Sequence, residues 1–223
     1  MEIWLDSCNH DAVKAACKFN IIYGVTTNPS LLATANKDPH YIIRGLLDIQ
    51  NGPVAVQVCS TSSEEMIPSG LALNAISDRI IVKVPVTVEG LITMKALIQE
   101  HVPVMATAVF QPSQAILATV TGANYVAPYI GRMFDAGLDA YTTLQSMQTI
   151  YRQYASKTKI LAAALRTPEQ VISCAELGIS AVTLKEALFK QLLSNDPHTL
   201  NCLETFTEDW NAREYQASSI LTL

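Results

Sequence analysis

An α/β barrel of eight strand–helix units is the fold class that this sequence predicts, on three observations. Eight short apolar runs recur along the chain, amphipathic stretches alternate with them, and no composition shift, low-complexity tract or Gly/Ser linker divides the 223 residues. Eight such units in so short a chain close most simply as one (β/α)8 barrel, the remaining architecture being a doubly wound open sheet. The whole chain, 1–223, is therefore read as a single domain.

Each element has its own justification. The first run, "EIWLD" (2–6), puts Asp6 on the same face as Trp4, because strand side chains alternate with a period of two. The second, "IYGVT" (22–26), closes on Thr26 and Asn28, and Pro29 stands where a first helical turn begins. In "VAVQV" (54–58) Gln57 lies with Ala55, and "TSSEEM" (61–66) then offers a Ser/Thr helix cap ahead of acidic residues. The run "IIVKV" (80–84) is β-branched enough for a strand covered on both faces, yet it holds Lys83 on the face of Ile81. "PVMATAV" (103–109) sets Thr107 with Met105, and "NYVAPY" (124–129) sets Tyr129 with Ala127 and Tyr125. "KILAAAL" (159–165) and "SAVTL" (180–184) complete the eight, with Pro168 opening the helix between them. The tail from Leu203 to Leu223 ends in the apolar "SSILTL", which either packs on a neighbouring subunit or folds back on its own barrel.

Composition excludes several classes. A net charge of −5 with no basic stripe argues against a nucleic-acid partner. The first ten residues lack the positive end and apolar core of a signal peptide, and no apolar run approaches the roughly 18 residues of a membrane span, so a cytoplasmic protein is expected. The five cysteines form no C-x-x-C pair and read as reduced, mostly buried core filler. The four histidines show no H-x-H or H-E-x-x-H spacing, so no metal is expected.

What remains is the lysine. Burial disfavours an ammonium group, lowers its pKa and leaves more free amine able to attack a carbonyl, so Lys83 reads as a Schiff-base nucleophile. The ordinary alternative is a core lysine paired with Asp6. The inward face of Lys83 is shared by polar residues near the carboxyl ends of other strands, Asp6, Gln57, Thr107 and Tyr129, with Thr26 and Asn28 at the same level, and barrels of this kind build active sites at that end. A strand-end threonine or tyrosine often only fills a core, and Asn28 could simply cap the helix at Pro29.

The chain resembles the transaldolase family, and within it the short fructose-6-phosphate aldolase subgroup. The resemblance is carried by "LDS" (5–7), "GVTTNPS" (24–30), "AVQV" (55–58), "IVKVPVTVEGL" (81–91), "ATAVF" (106–110), "YVAPYIGR" (125–132) and "DW" (209–210), seven stretches in family order. It implies a (β/α)8 barrel and a class I aldolase that cleaves or forms fructose 6-phosphate from dihydroxyacetone and glyceraldehyde 3-phosphate or a related aldehyde. Lys83 would form the imine, Asp6 would assist proton transfer during carbon–carbon cleavage, and Asn28 would bond a substrate hydroxyl. Gln57, Thr107 and Tyr129 would hold the water that shuttles protons, and Thr26 would line the pocket. Arg132 and Arg166 match positions where the family binds the substrate phosphate. No cofactor is implied, the partner being a sugar phosphate or dihydroxyacetone, and family members of this size resemble pentameric rings paired into decamers.

The chain departs from the family at the seventh strand, where a motif like A-S-F-R is common and Ala164 stands in place of the serine, so that a phosphate-bonding hydroxyl is missing. A less phosphorylated or differently shaped acceptor is open. The alternative activity is that of transaldolase, which transfers the dihydroxyacetone unit between sugar phosphates. The resemblance suggests that transaldolases carry Glu at the Gln57 position and Phe at the Tyr129 position, so this pair looks aldolase-like. A third reading is a barrel that binds a sugar phosphate without turning it over.

Overall fold

The computed structural model describes residues 1–154 and 156–212. Its centre is a closed parallel barrel in the order β1-β2-β3-β4-β5-β6-β7-β8. The strands are β1 (Glu2–Asp6), β2 (Ile22–Thr26), β3 (Val54–Gln57), β4 (Ile80–Pro85), β5 (Val104–Val109), β6 (Tyr125–Pro128), β7 (Lys159–Ala162) and β8 (Ala181–Lys185). All eight fall on the runs that predict them. Closure, with β8 pairing back onto β1, decides for the barrel against the open sheet.

Eleven helices are described, more than one per unit. Those of the barrel unit begin with α1 (His10–Cys17), α2 (Pro29–Thr34), α3 (Pro39–Ile49), α4 (Ser63–Asn74), α5 (Val88–Gln99) and α6 (Pro112–Thr121). They continue with α7 (Ile130–Asp135), α8 (Ala140–Gln153) and α9 (Pro168–Glu176), and α10 (Glu186–Leu192) begins in that unit and ends beyond it. Pro29 and Pro168 occupy first-turn positions of α2 and α9, where a missing N–H is harmless. The cap of α4 differs from expectation. Ser62 makes no side-chain cap bond, and the Glu89 carboxylate of α5 instead accepts from the Ser63 backbone N–H at 2.9 Å and its hydroxyl at 2.6 Å. A charged acceptor at a helix N-terminus satisfies another of the orphan donors of the first turn from outside the helix.

The chain forms two compact units, Met1–Phe189 and Lys190–Leu223. In the second, α11 (Pro197–Asn211) is capped by Asp196, whose carboxylate accepts from His198 N at 2.8 Å, and it carries no buried residue. Leu200, Leu203 and Phe206 are exposed at spacings of three. The terminal "SSILTL" lies outside the described residues.

Among the described residues, no helix is long and apolar enough to cross a membrane, and no group of three or more His, Cys, Asp or Glu is placed to hold a metal ion. The cysteines correct the expectation of core filler. Only Cys174 is buried, while Cys8 and Cys17 are partly covered and Cys59 and Cys202 are exposed.

Inside the barrel the period of two holds. Trp4, Ala55, Ile81, Met105, Ala127, Leu161 and Ala181 fill one apolar cluster. The indole of Trp4 is large enough to need its neighbour stripped: a Cβ on Gly24, its register partner on β2, would meet the ring at 2.8 Å. The floor on which the site stands is thus a filled layer rather than a channel.

Candidate active site

Two residues beyond that floor, towards the carboxyl ends of the strands, the inward positions become polar. Asp6 follows Trp4, Thr26 follows Gly24, Gln57 follows Ala55, Lys83 follows Ile81, Thr107 follows Met105 and Tyr129 follows Ala127. Each of these sequence-derived candidates is brought to the same end of the barrel.

Lys83 is 6% exposed, and its Nζ donates a 2.6 Å hydrogen bond to the carbonyl oxygen of Thr27. Burial pulls its pKa below the ordinary 10.5, with the nearby Asp6 and Cys8 acting in the opposite direction. No carboxylate forms an ion pair with it among the described residues, so the paired core lysine is not what is found. The carboxylate of Asp6 instead accepts from the Thr26 hydroxyl at 2.8 Å. Burial, and the charge of Asp6 next, push the neighbouring Cys8 thiol up to about 11, while Lys83 pulls it back. A thiol so raised stays protonated near neutrality and is a poor nucleophile.

Gln57 is the direct register partner of Lys83 on β3, half-buried. On the other side, the fully buried Thr107 shares a 2.8 Å hydrogen bond with the Tyr129 hydroxyl. That pair depends on a local irregularity. Ala108 adopts φ 57°, the register between β5 and β6 shifts between Ala106 and Val109, and the Tyr129 N–H reaches the Val109 carbonyl at 3.1 Å. A bulge of this kind re-aims the side chains that follow it. Tyr129 therefore sits just past β6 as the N-cap of α7, its ring edge-on to Phe110 at 5.9 Å.

Asn28 does cap α2, its Oδ1 accepting from Leu31 N at 3.0 Å. Its carboxamide nitrogen makes no hydrogen bond among the described residues, so the capping geometry holds a donor in place beside Thr27.

The two arginines lie along the β6–β7 side. Arg132, on α7, stacks over the Tyr129 ring at 5.0 Å. Arg166 grips Asp135 end-on through both terminal nitrogens, Nη1 to Oδ1 at 2.7 Å and Nη2 to Oδ2. That hydrogen bonding is the main reason the Asp135 carboxyl lies below its ordinary value, with desolvation opposing and the charges of Arg166 and Arg132 adding to the fall. Gly131 is required between them, since a Cβ there would strike the Ala164 carbonyl and crowd Arg166 Nε. Ala164 itself takes φ 60°, so the chain turns sharply as it leaves β7.

Three participants escape a reading of the sequence. The Thr27 carbonyl is a backbone acceptor, which no side-chain pattern reports. Asp135 sits three residues after Arg132 and had no strand parity to mark it. Thr183, two residues beyond Ala181 on β8, could have been found by the same count that marks Asp6, and its hydroxyl lies 2.6 Å from that of Thr26. A cleft of about 340 Å³ opens at the ends of β1 and β8, lined among others by Ser7, Cys8, Asn9, Lys37 and Glu186. It adjoins the Asp6 side of the cluster and does not include Lys83.

Comparison with known proteins bears on this arrangement. The family model described as transaldolase/fructose-6-phosphate aldolase matches residues 3–221. A probable transaldolase of Thermoplasma acidophilum is 39% identical over 213 residues, covering 94% of this chain and 95% of that one. A probable transaldolase of Nitrosopumilus maritimus is 37% identical over 211 residues, again covering 94% and 95%. Among solved structures, a mandelate oxidase mutant with a monooxide FMN adduct aligns with a TM-score of 0.57 at 14% identity, over 82% of this chain and 63% of that one. At that identity the likeness speaks for the barrel alone.

Proposed function

Because the chain belongs to the transaldolase/fructose-6-phosphate aldolase family, we propose that it is a class I aldolase. It cleaves or forms fructose 6-phosphate from dihydroxyacetone and glyceraldehyde 3-phosphate or a related aldehyde, through an imine on Lys83. The observation that carries this reading is a buried lysine with a lowered pKa, unpaired with any described carboxylate and held by a backbone carbonyl, at the carboxyl end of a closed barrel. The free amine of Lys83 attacks the ketose carbonyl, and the carbinolamine loses water to give the imine. Asp6 takes the proton of the hydroxyl beside the breaking carbon–carbon bond, and the bonding pair flows into the imine to give an enamine. Protonation of that enamine through a water held by Gln57, Thr107 and Tyr129, followed by hydrolysis, frees dihydroxyacetone. Thr26 holds Asp6, and Asn28 offers its amide to a substrate hydroxyl. Because the imine is the electron sink, the reading includes no metal or organic cofactor, and chelators should leave activity unchanged.

Transaldolase is the second reading, favoured by the names of relatives 35–39% identical to this chain. Gln57 beside Lys83 and the Tyr129–Thr107 pair favour release. The deciding experiment supplies fructose 6-phosphate with and without erythrose 4-phosphate and measures free dihydroxyacetone against transferred product. Release should proceed without the acceptor sugar. Transfer far faster than release would make the protein a transaldolase.

The acceptor phosphate is assigned to Arg132 and Arg166. Asp135 grips one end of the Arg166 guanidinium and fixes its plane, leaving the Nε side for an anion. Ala164 withholds a hydroxyl next to this pair. Ala164→Ser adds that hydroxyl without changing the backbone demand of φ 60°. One charge-assisted hydrogen bond corresponds to roughly a tenfold fall in KM for glyceraldehyde 3-phosphate. An equal change for unphosphorylated glyceraldehyde would move the phosphate elsewhere. The reading also places the protein in the cytoplasm as a homo-oligomer, with the exposed Leu200, Leu203 and Phe206 of α11 supplying apolar surface for another copy and a decamer as the family-like assembly.

A further inference from the structure

We propose that Thr183 is a positioning residue for Asp6 and acts on it through Thr26. The inference rests on the aldolase reading above, in which Asp6 moves a proton during carbon–carbon cleavage.

The barrel puts β1 between β2 and β8, so the strand of Asp6 is flanked by the strands of Thr26 and Thr183. Asp6 pairs in register with Thr26, and Trp4 with Thr183. The two threonine side chains meet inside the barrel, hydroxyl to hydroxyl at 2.6 Å, and the Thr26 hydroxyl continues to Asp6 Oδ1 at 2.8 Å. Thr26 is 1% exposed and Thr183 5%, so bulk water is not available as a substitute partner.

Proton counting gives the chain a direction. An ionised carboxylate only accepts, and a hydroxyl has one proton to give. Thr26 gives its proton to Asp6, and the Thr183 proton must therefore go to Thr26. Each bond polarises the next, so the donation to Asp6 is stronger than one from an isolated hydroxyl. The result fixes Oδ1 of Asp6 and leaves Oδ2 for the substrate. A β-branched side chain with restricted χ1 suits both positions. Valine would fill the same volume at Thr183 with no polar group to satisfy, so a buried hydroxyl there has to be accounted for by its partner.

The test uses the full-length protein as Thr183→Val, Thr183→Ser, Thr26→Val and the Thr26→Val/Thr183→Val double variant. Three quantities are measured: kcat for fructose 6-phosphate cleavage, the rate of borohydride trapping of dihydroxyacetone on Lys83, and Tm. Thr183→Val should lower kcat about five- to tenfold, the scale of one hydrogen bond lost, while trapping, which does not use Asp6, stays at the wild-type rate. Thr183→Ser should restore cleavage. The double variant should be no slower than Thr26→Val alone, because Thr183 works only through Thr26. Cleavage at the wild-type rate in Thr183→Val, a parallel fall of trapping and cleavage, or multiplicative losses in the double variant would each overturn the inference. If Thr183→Val does not fold, Thr183→Ala compared with Thr183→Ser gives the same reading. A wild-type protein that forms no adduct on Lys83 would remove the parent reading and this one together, whereas an adduct with unimpaired Thr183→Val cleavage removes this one alone.

Discussion

Lys83→Met should leave a folded protein whose turnover of fructose 6-phosphate is reduced by up to about 10⁶-fold, the scale of loss when a covalent nucleophile is removed. Methionine is unbranched, apolar and close to lysine in length, so it takes up the buried position without a charge to desolvate. The stability of this variant should also carry a pH signature. Burial lowers the lysine's proton affinity in the folded state relative to the ordinary 10.5 of the unfolded chain. Between the folded value and 10.5 the unfolded state binds more protons, so wild-type stability rises with pH across that window. Below it, the full penalty of a buried ammonium is present. Comparison of Tm at about pH 7 and near pH 10.5 should therefore show the variant gaining on the wild type as pH falls. A difference that is flat with pH would mean that Lys83 titrates as an exposed lysine does.

Tyr129→Phe should lower release of dihydroxyacetone by about 10²–10⁴-fold, the usual contribution of a positioned acid or base. The ring stays, so the contacts with Phe110 at 5.9 Å and Arg132 at 5.0 Å survive and gross packing is not at issue. What is lost is the hydroxyl 2.8 Å from Thr107. Because Thr107 is fully buried, its own hydroxyl loses a partner, and about 1 kcal/mol of stability should go with it. Imine formation on Lys83 should slow but stay detectable. Gln57→Glu should shift products from release towards transfer onto an acceptor sugar. If Tyr129→Phe released dihydroxyacetone as fast as the wild type, proton return to the enamine would have to run through another group.

The strands were legible because parallel, doubly covered strands are apolar throughout, and the count of two along each run then fixes which side chains face inward. Asp6, Gln57, Lys83 and Thr107 are placed by that count alone. Tyr129 and Ala164 lie past the last residues of β6 and β7, where the count reaches Tyr129 but says nothing of its cap geometry or of the turn at Ala164. The backbone has left the strand at both, one as a helix cap after a bulge and the other at a positive φ that no alanine announces in sequence. Thr183 was within reach of the count, but a single threonine in an apolar run draws no attention until its hydroxyl is seen to meet another. Asp135 and the Thr27 carbonyl could not be read at all, because their partners are far away in sequence and meet them only when the barrel closes. The cysteines misled for a related reason: type preference for burial is an average over proteins, and Cys59 and Cys202 sit on exposed positions.

The most direct test is mass mapping after borohydride. Wild-type protein is incubated with dihydroxyacetone, reduced, digested and sequenced by mass spectrometry, alongside Lys83→Met and the other lysines as internal controls. Reduction converts an imine to a secondary amine that survives digestion, whereas a sugar bound without a covalent bond is lost. The account predicts one reduced three-carbon adduct per chain, located on Lys83 and absent from the variant. Unmodified Lys83, or an equal adduct on another lysine with activity retained in Lys83→Met, would contradict it.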